Sequence, residues 1–285
     1  MLTNFNEMLK KAAIEGYAIG SFNGYNYETI RGIVEAGNDL GCDGIIVAFG
    51  KKYLKNMDLS DVFSVTSSIA SRTDMDVCLH LDHCDDISII QQAINSGFTS
   101  VMYDGSMLPF ELNLKNTRQV CEMAHSVGVS VEAELGSIAA GEHSHEGKSD
   151  DLEIYTDPWQ AELFVNETGV DALAVSIGTV HGLYKGVPNI RVDILKVIAE
   201  KVKIPLVMHG GSGVPEKTIT ECIKNGIRKI NVNTEISVYA VDKIAEVFSK
   251  GGRPHLSVLG AMTERNVREV VSKYIRFFGQ KPTDV

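Results

Sequence analysis

Short apolar runs rich in β-branched residues recur along this chain, spaced widely enough for a helix to fit between them. They fall at residues 17–22, 44–49, 77–81, 100–103, 129–135, 172–177, 204–208 and 229–232, and each reads as a strand enclosed on both faces. Between them, apolar positions return at helical spacing over residues 26–40, 87–96, 112–126, 158–168, 192–202, 215–225 and 235–249. Several of these helical stretches stop at a glycine, Gly41, Gly97, Gly128, Gly169 or Gly226, where a left-handed cap is needed. The repeating unit is helix, glycine stop, strand.

Strands separated by helices pair in parallel through right-handed crossovers. Eight such units predict an α/β fold of the closed (β/α)8 TIM-barrel type. An open doubly wound sheet fits less well, because no GxGxxG follows the first strand. A helix over residues 4–15 is expected to close the barrel bottom, and a last helix over 264–278 to pack outside. No Pro-, Ser- or charge-rich linker divides residues 1–285, so one domain is expected. Two connections break the rhythm: residues 136–157, rich in Gly, His, Ser and acidic side chains, and residues 179–191. The first has the length of a mobile catalytic loop or a disordered insertion.

Composition narrows the class. Apolar residues make up 44% and charged residues 22% of the chain, enough for a large core and against disorder. A formal net charge of −10 disfavours non-specific nucleic-acid binding, although a local basic or amide-rich site still accommodates an anionic substrate. Five cysteines without a CxxC pair suggest neither a disulfide framework nor a thiolate metal cage. With no run of 18 apolar residues and no signal-peptide core, a soluble cytoplasmic protein without a membrane partner is expected.

Three histidines follow apolar runs: His83 in VCLHLDH, His181 in ALAVSIGTVH and His209 in IPLVMH. In a (β/α)8 barrel these are C-terminal strand ends, where active sites lie. A single histidine there is more often a hydrogen-bonded structural residue, but three at equivalent ends, with one position left open, describe a catalytic metal site. Asp82 beside His83 offers an acid or base. Asp104 and Glu134 also lie at strand ends, where they would hold a second cation or orient the histidines. Glu132 shares the parity of Glu134. Glu142, in the long loop, fits either a solvated charge or a proton carrier arriving on loop closure; His143 and His145 read as exposed polar residues. His209-Gly210-Gly211-Ser212-Gly213 after strand seven, and Asn231-Val232-Asn233-Thr234 before a helix, suit a phosphate.

Taken in order, SFNGYNYE, HLDH, YDGS, VEAELG, GTVHGLYKG, HGGSG and INVNTE resemble the class II, zinc-dependent fructose- and tagatose-bisphosphate aldolases from about residue 5 to 279. The resemblance implies that His83, His181 and His209 bind the catalytic zinc, with Asp104 and Glu134 near an alternative metal position and a second divalent or monovalent cation possible. It implies that Gly182, Gly210, Gly211, Ser212, Asn231 and Thr234 hold the dihydroxyacetone phosphate half, with Lys185 nearby and Asn23 and Asn233 also in the substrate site. Asp82 becomes the acid/base at the carbon 4 hydroxyl and Glu142 the proton shuttle at carbon 3. A homodimer or homotetramer is expected.

Four positions depart from the family pattern. Cys84 stands where Gly is common, Gly50 where a serine aligns, His255-Leu256-Ser257 where Asp-Pro-Arg aligns, and Asn233 where Asp or Ala is common. The expected reaction is cleavage of fructose 1,6-bisphosphate or tagatose 1,6-bisphosphate to dihydroxyacetone phosphate and glyceraldehyde 3-phosphate. A ketose 1-phosphate without a distal phosphate is the alternative. A barrel metallohydrolase is disfavoured by the phosphate loops and by the lack of an early HxH pair. A non-catalytic sugar-phosphate sensor is disfavoured by the presence of both Asp82 and Glu142.

Overall fold

A computed structural model of the chain describes residues 1–144, 154–186 and 188–280. Eight parallel strands close into a barrel: β1 (Ile19–Asn23), β2 (Gly44–Gly50), β3 (Asp76–Cys84), β4 (Ser100–Tyr103), β5 (Ser130–Leu135), β7 (Ala172–Val175), β9 (Leu206–Met208) and β10 (Ile227–Val232). Two further two-residue strands, β6 (Ala139–Ala140) and β8 (Val180–His181), pair with each other above the barrel. The ring closes where β1 pairs with β10, Ser21 opposite Asn231 and Phe22 opposite Val232. All eight apolar runs are strands of this barrel.

Helices alternate with the strands, all but α3 falling where the spacing predicts: α2 (Tyr27–Asp39), α3 (Leu59–Ala70), α4 (Ile87–Ser96), α5 (Phe110–His125), α6 (Pro158–Thr168), α7 (Val192–Lys201), α8 (Glu216–Lys224) and α9 (Thr234–Ser249). The starts of α2, α4 and α6 are locally encoded by side-chain caps. Asn26 and Thr29 form a reciprocal capping box for α2, and Asp157 accepts from the backbone N–H groups of Trp159 and Gln160 ahead of Pro158 in α6. The five glycine stops all have positive φ, from 61° at Gly41 to 108° at Gly226. The last helix, α10 (Leu256–Phe277), begins eight residues before the expected start at 264. Its first two turns expose Leu256 and Val258, so they carry no buried apolar stripe by which a helix is legible in the sequence.

Strand alternation divides the interior in two. Outward residues such as Val47, Leu79, Leu173 and Val175 pack under the helices in one continuous core. Inward residues Ile19, Ile46, Cys78, Ala172, Ala174 and Val207 form a second cluster with Phe5, Met8, Leu9 and Ala12, the last three on α1 (Asn6–Glu15). The first helix therefore plugs the barrel bottom, as expected. Above this plug the inward positions turn polar along the same strands: Ile19 gives way to Ser21 and Asn23, Cys78 to His80 and Asp82, and Val207 to His209, all buried. The polar end is the C-terminal mouth. No helix among the described residues is long and apolar enough to cross a membrane.

Leu9 is fully buried in the plug. Leu9→Ala should lower the unfolding free energy by about 2–5 kcal/mol through lost burial and a residual cavity. Urea unfolding reads this as a lower midpoint at unchanged slope, and a wild-type midpoint would mean that α1 does not seal the barrel.

Candidate active site

Consecutive strand residues normally face opposite ways, yet β3 delivers both Asp82 and His83 to the mouth. Its register with β4 shifts between Leu81 and Cys84, and His83 adopts a φ of 44°. That conformation costs a residue with a Cβ on the order of 1–3 kcal/mol, and here it turns two neighbours toward one site. Asp82 is buried with each carboxylate oxygen satisfied: Asn23 Nδ2 donates to Oδ2 at 3.1 Å and Asn231 Nδ2 to Oδ1 at 3.1 Å.

The three histidine rings meet nearly edge to face. Centroids of His83 and His181 are 4.9 Å apart, of His83 and His209 4.6 Å, and of His181 and His209 5.9 Å. One nitrogen of each, with a Glu134 carboxylate oxygen, lies within 4.8 Å of the others. His83 Nδ1 is 2.9 Å from Asp104 Oδ2, and His209 Nε2 is 2.8 Å from Glu132 Oε1. A ring that spends its N–H on a carboxylate turns a bare lone pair the other way. The remaining nitrogens, His83 Nε2 and His209 Nδ1, face each other at 2.8 Å. At that distance the two nitrogens share one positive centre, a proton or a metal ion. Burial keeps His209 neutral by pushing its pKa well down, with the His83 and Lys229 charges adding to the effect. A donor set of three imidazole nitrogens and one carboxylate oxygen fits a metal ion.

Glu134 and Asp104 diverge in role. Glu134 belongs to the four-donor group; burial first and the Asp104 charge second push its pKa well up, and its Oε2 has no hydrogen-bond partner. A cation would supply that partner. Asp104 lies one step back. Burial pushes its carboxyl up, but the bond and charge of His83, with bonds from Ser106 N at 3.2 Å and Oγ at 2.6 Å, outweigh this and hold it below the usual carboxylate range. It orients His83.

The glycine-rich turn follows β9. A Cβ on Gly210, whose φ is 69°, would stand 2.2 Å from the Val180 carbonyl oxygen, and one on Gly211 would stand 2.6 Å from Ile230 Cγ2. The Gly211 amide donates to Asn231 O at 2.9 Å, so Gly211 contributes close approach rather than a free donor. Gly213 N reaches Tyr274 Oη at 3.0 Å and Glu235 Oε2 at 3.1 Å, Tyr274 itself donates to Glu235 Oε2, and the Glu235 amide donates to Ser212 Oγ at 3.2 Å. The turn is thereby tied to α9 and α10. Thr234 opens α9 with Asn233 at its cap position, so the helix start lies beside the turn, a favourable place for an anion.

The long connection is anchored before it leaves the described residues. Gly141 N donates to His181 O at 2.5 Å, and Glu142 and Leu183 exchange backbone bonds of 2.8 and 2.7 Å. Gly182 permits this approach, since its Cβ would lie 2.5 Å from Glu142 O. Glu142 is exposed on the rim, as are His143 and Lys185. His145 lies outside the described residues.

One layer above Asp82, Tyr25 donates to Asn233 Oδ1, Asn233 Nδ2 donates to Tyr53 Oη at 3.1 Å, and the two tyrosine rings meet at 4.8 Å. Tyr53 follows Gly50 closely; a Cβ at Gly50 would stand 3.3 Å from its ring. Sequence reading missed Tyr25, Tyr53 and the buried Lys229. The signal for Lys229 was present: Lys229 and Asn231 alternate on β10, so a lysine shares the inward face. No comparable signal marked Tyr53, which lies in a 3-10 turn at Lys51–Lys55.

Comparison with known proteins matches residues 3–283 to the family model described as fructose-bisphosphate aldolase class-II. A curated relative, the sulfofructosephosphate aldolase of Alkalicoccus urumqiensis, is 37% identical over 276 residues, spanning 96% of this chain and 95% of the relative. Among solved structures, the YdjI aldolase from Escherichia coli K12 superposes with a TM-score of 0.88 at 32% identity, covering 99% of this chain and 98% of that one. The fructose-bisphosphate aldolase of Campylobacter jejuni shares the fold, with a TM-score of 0.81 at 22% identity over 99% of this chain and 97% of its own.

Removing the carboxylate behind His83 tests the metal reading without turnover. Asp104→Ala should weaken metal binding by about 10–100-fold, the range for losing a partner of a ligating imidazole. Competition against a chromophoric chelator measures it, and unchanged affinity would show that Asp104 does not support a metal ligand.

Proposed function

Because the chain belongs to the class-II fructose-bisphosphate aldolase family, we propose that it reversibly cleaves fructose 1,6-bisphosphate or tagatose 1,6-bisphosphate to dihydroxyacetone phosphate and glyceraldehyde 3-phosphate, with zinc at His83, His181 and His209. As a member of that family it is an aldolase and hence a lyase. The observation that carries the finer reading is the convergence of a buried, doubly hydrogen-bonded Asp82 with the group formed by His83, His181, His209 and Glu134.

A bound zinc supplies Lewis acidity to the ketose carbonyl. The rest of the reaction belongs to the chain. Asp82, held by Asn23 and Asn231, takes the proton from the carbon 4 hydroxyl, and the bond between carbons 3 and 4 breaks as that oxygen becomes the aldehyde carbonyl. The electron pair stays on the dihydroxyacetone phosphate half, where Glu142 delivers a proton to carbon 3. The turn at Gly210 to Gly213 and the start of α9 bind the phosphate of that half, with Lys185 on the rim. Condensation runs the same transfers backwards. The five cysteines are free and buried, which accords with a cytoplasmic setting, and the family suggests a homodimer or homotetramer.

A second reading concerns the aldehyde end. The layer above Asp82 consists of Tyr25, Asn233 and Tyr53, a neutral wall of hydroxyls and an amide. Lys51 is engaged with Asp85 at 2.5 Å, while Lys52 lies 5.9 Å over the Tyr53 ring. Such a wall suits hydroxyls better than a second phosphate, which favours a ketose 1-phosphate without a distal phosphate. Sulfofructose phosphate, the substrate in the name of the Alkalicoccus relative, belongs in the same comparison.

Release of dihydroxyacetone phosphate from the two bisphosphates, fructose 1-phosphate and sulfofructose phosphate, by zinc-loaded and chelated protein, decides among these. Chelator-sensitive turnover of a bisphosphate is expected; turnover of the non-bisphosphates alone selects the second reading, and none at all removes both. Asp82→Ala should retain zinc and lose about a hundredfold or more in cleavage, whereas His209→Ala should lose zinc and activity together. Glu142→Ala should chiefly slow exchange of the carbon 3 proton of dihydroxyacetone phosphate with solvent, and undiminished exchange would assign the shuttle elsewhere.

A further inference from the structure

Lys229 is the one lysine on the inward face of β10, fully buried beneath the mouth. No part of the mechanism above uses it. Its ammonium donates to Asn231 Oδ1 at 2.6 Å and stands 2.9 Å from Glu132 Oε2 in an ion pair between two fully buried groups. Each neighbour leads to a different half of the site. Asn231 passes to Asp82, its Nδ2 donating at 3.1 Å to Oδ1. Glu132 passes to His209, its Oε1 2.8 Å from Nε2.

The direction of every bond in this chain follows from Lys229. An ammonium has donors and no acceptor. Beside it, the Asn231 amide must present its oxygen, which leaves its NH2 aimed at Asp82. Asp82 receives that N–H on one oxygen and the Asn23 N–H on the other, so both oxygens act as acceptors, the state a proton-abstracting base needs. On the other side, the lysine charge compensates an ionised Glu132, which can then only accept. His209 must give it the Nε2–H, and the Nδ1 lone pair is left facing His83 Nε2 at 2.8 Å, where a ligating atom has to be.

We propose that Lys229 is a positioning residue for both halves of the active site, orienting the acid/base Asp82 through Asn231 and the metal ligand His209 through Glu132. The proposal rests on the assignment of Asp82 and the histidines made above. Burying a lysine at the barrel's centre is costly unless it is paired and hydrogen-bonded, and a leucine or methionine would fill the volume without that cost. The charge is retained where it polarises two hydrogen-bond chains in opposite directions along the barrel interior.

The test uses the full-length protein and separates the two arms. Zinc affinity is measured by chelator competition, without substrate, and kcat and KM are measured at saturating zinc, for wild type, Lys229→Met, Glu132→Gln, Asn231→Ala and the double variants. Lys229→Met should bind zinc about 10–100-fold more weakly and lose kcat at saturating zinc with a smaller change in KM. Its effect on zinc should disappear in the Glu132→Gln background and its effect on kcat in the Asn231→Ala background, because each arm runs through that partner. A folded Lys229→Met with wild-type zinc affinity and kcat overturns the proposal, as do effects that multiply in the double variants. If Lys229→Met does not fold, Lys229→Met/Glu132→Gln, which leaves no unpaired buried charge, carries the test: it should match Glu132→Gln in zinc affinity and fall below it in kcat, and equal kcat overturns the proposal. A wild-type protein that neither binds zinc nor cleaves any ketose phosphate would instead defeat the functional reading itself.

Discussion

The pairing of β1 with β10, Ser21 against Asn231 and Phe22 against Val232, turns a sheet into a cylinder, and most of what is particular to this protein follows from that closure. A closed barrel has no edge and no solvent on its inner face. Every second strand residue is therefore committed to a space with fixed volume and no exit. At the bottom the problem is solved with methyl groups and rings, Ile19, Ile46, Cys78 and Val207 against Phe5 and Leu9. At the top it is solved with polar side chains that satisfy one another.

That polar half is held by donor and acceptor logic more than by area. Lys229, Asn231 and Asp82 form one sequence of contacts and Lys229, Glu132 and His209 another, with all five side chains buried. In such surroundings an unmatched group is expensive, so each partner dictates the orientation of the next. Among the described residues the exceptions include Ser21 Oγ, Asn23 Oδ1, Glu132 Oε2, which has only its ion pair with Lys229, Glu134 Oε2 at the histidine group, and just below it His80 Nε2, 3.9 Å from both Asp82 and Glu132. Burial, reinforced by the Lys229 charge, pushes the His80 pKa well down, so it packs as a neutral ring against Phe5. Strain is concentrated in the same region, at the left-handed backbone of His83.

The two ends of the proposed substrate site are built differently. The glycine-rich turn is lashed to α9 and α10 through Glu235 and Tyr274 and leaves little room for variation. The opposite wall depends on the contact of Gly50 with Tyr53 and on the bridging amide of Asn233, so two of the four departures from the family pattern lie there. On the proposed reading, a rigid end for the phosphate and a more individual end for the aldehyde suit an enzyme in which one product is constant and the other varies.

The barrel was legible in the sequence because its signals are local: apolar β-branched runs, glycines at helix stops and caps such as Asn26 and Asp157 act through neighbours a few residues away. The three histidines, Asp82 and the glycine turn were legible as well, because strand ends in a parallel barrel all open at one face. What remained hidden were relations between residues distant in sequence. Glu134 joins the histidines while Asp104 stands behind His83, a difference of a few ångströms that their equivalent positions at neighbouring strand ends do not reveal. Gly211 lends space rather than its amide because Asn231 takes the N–H, and Tyr53 reaches Asn233 across 180 residues. The sequence by itself determined which side chains face inward and at which end, since strand parity and order are properties of the local chain. Only the tertiary structure decided which of them touch, because a hydrogen bond or a shared ligand position depends on the register and bulges of strands that meet only when the barrel has closed.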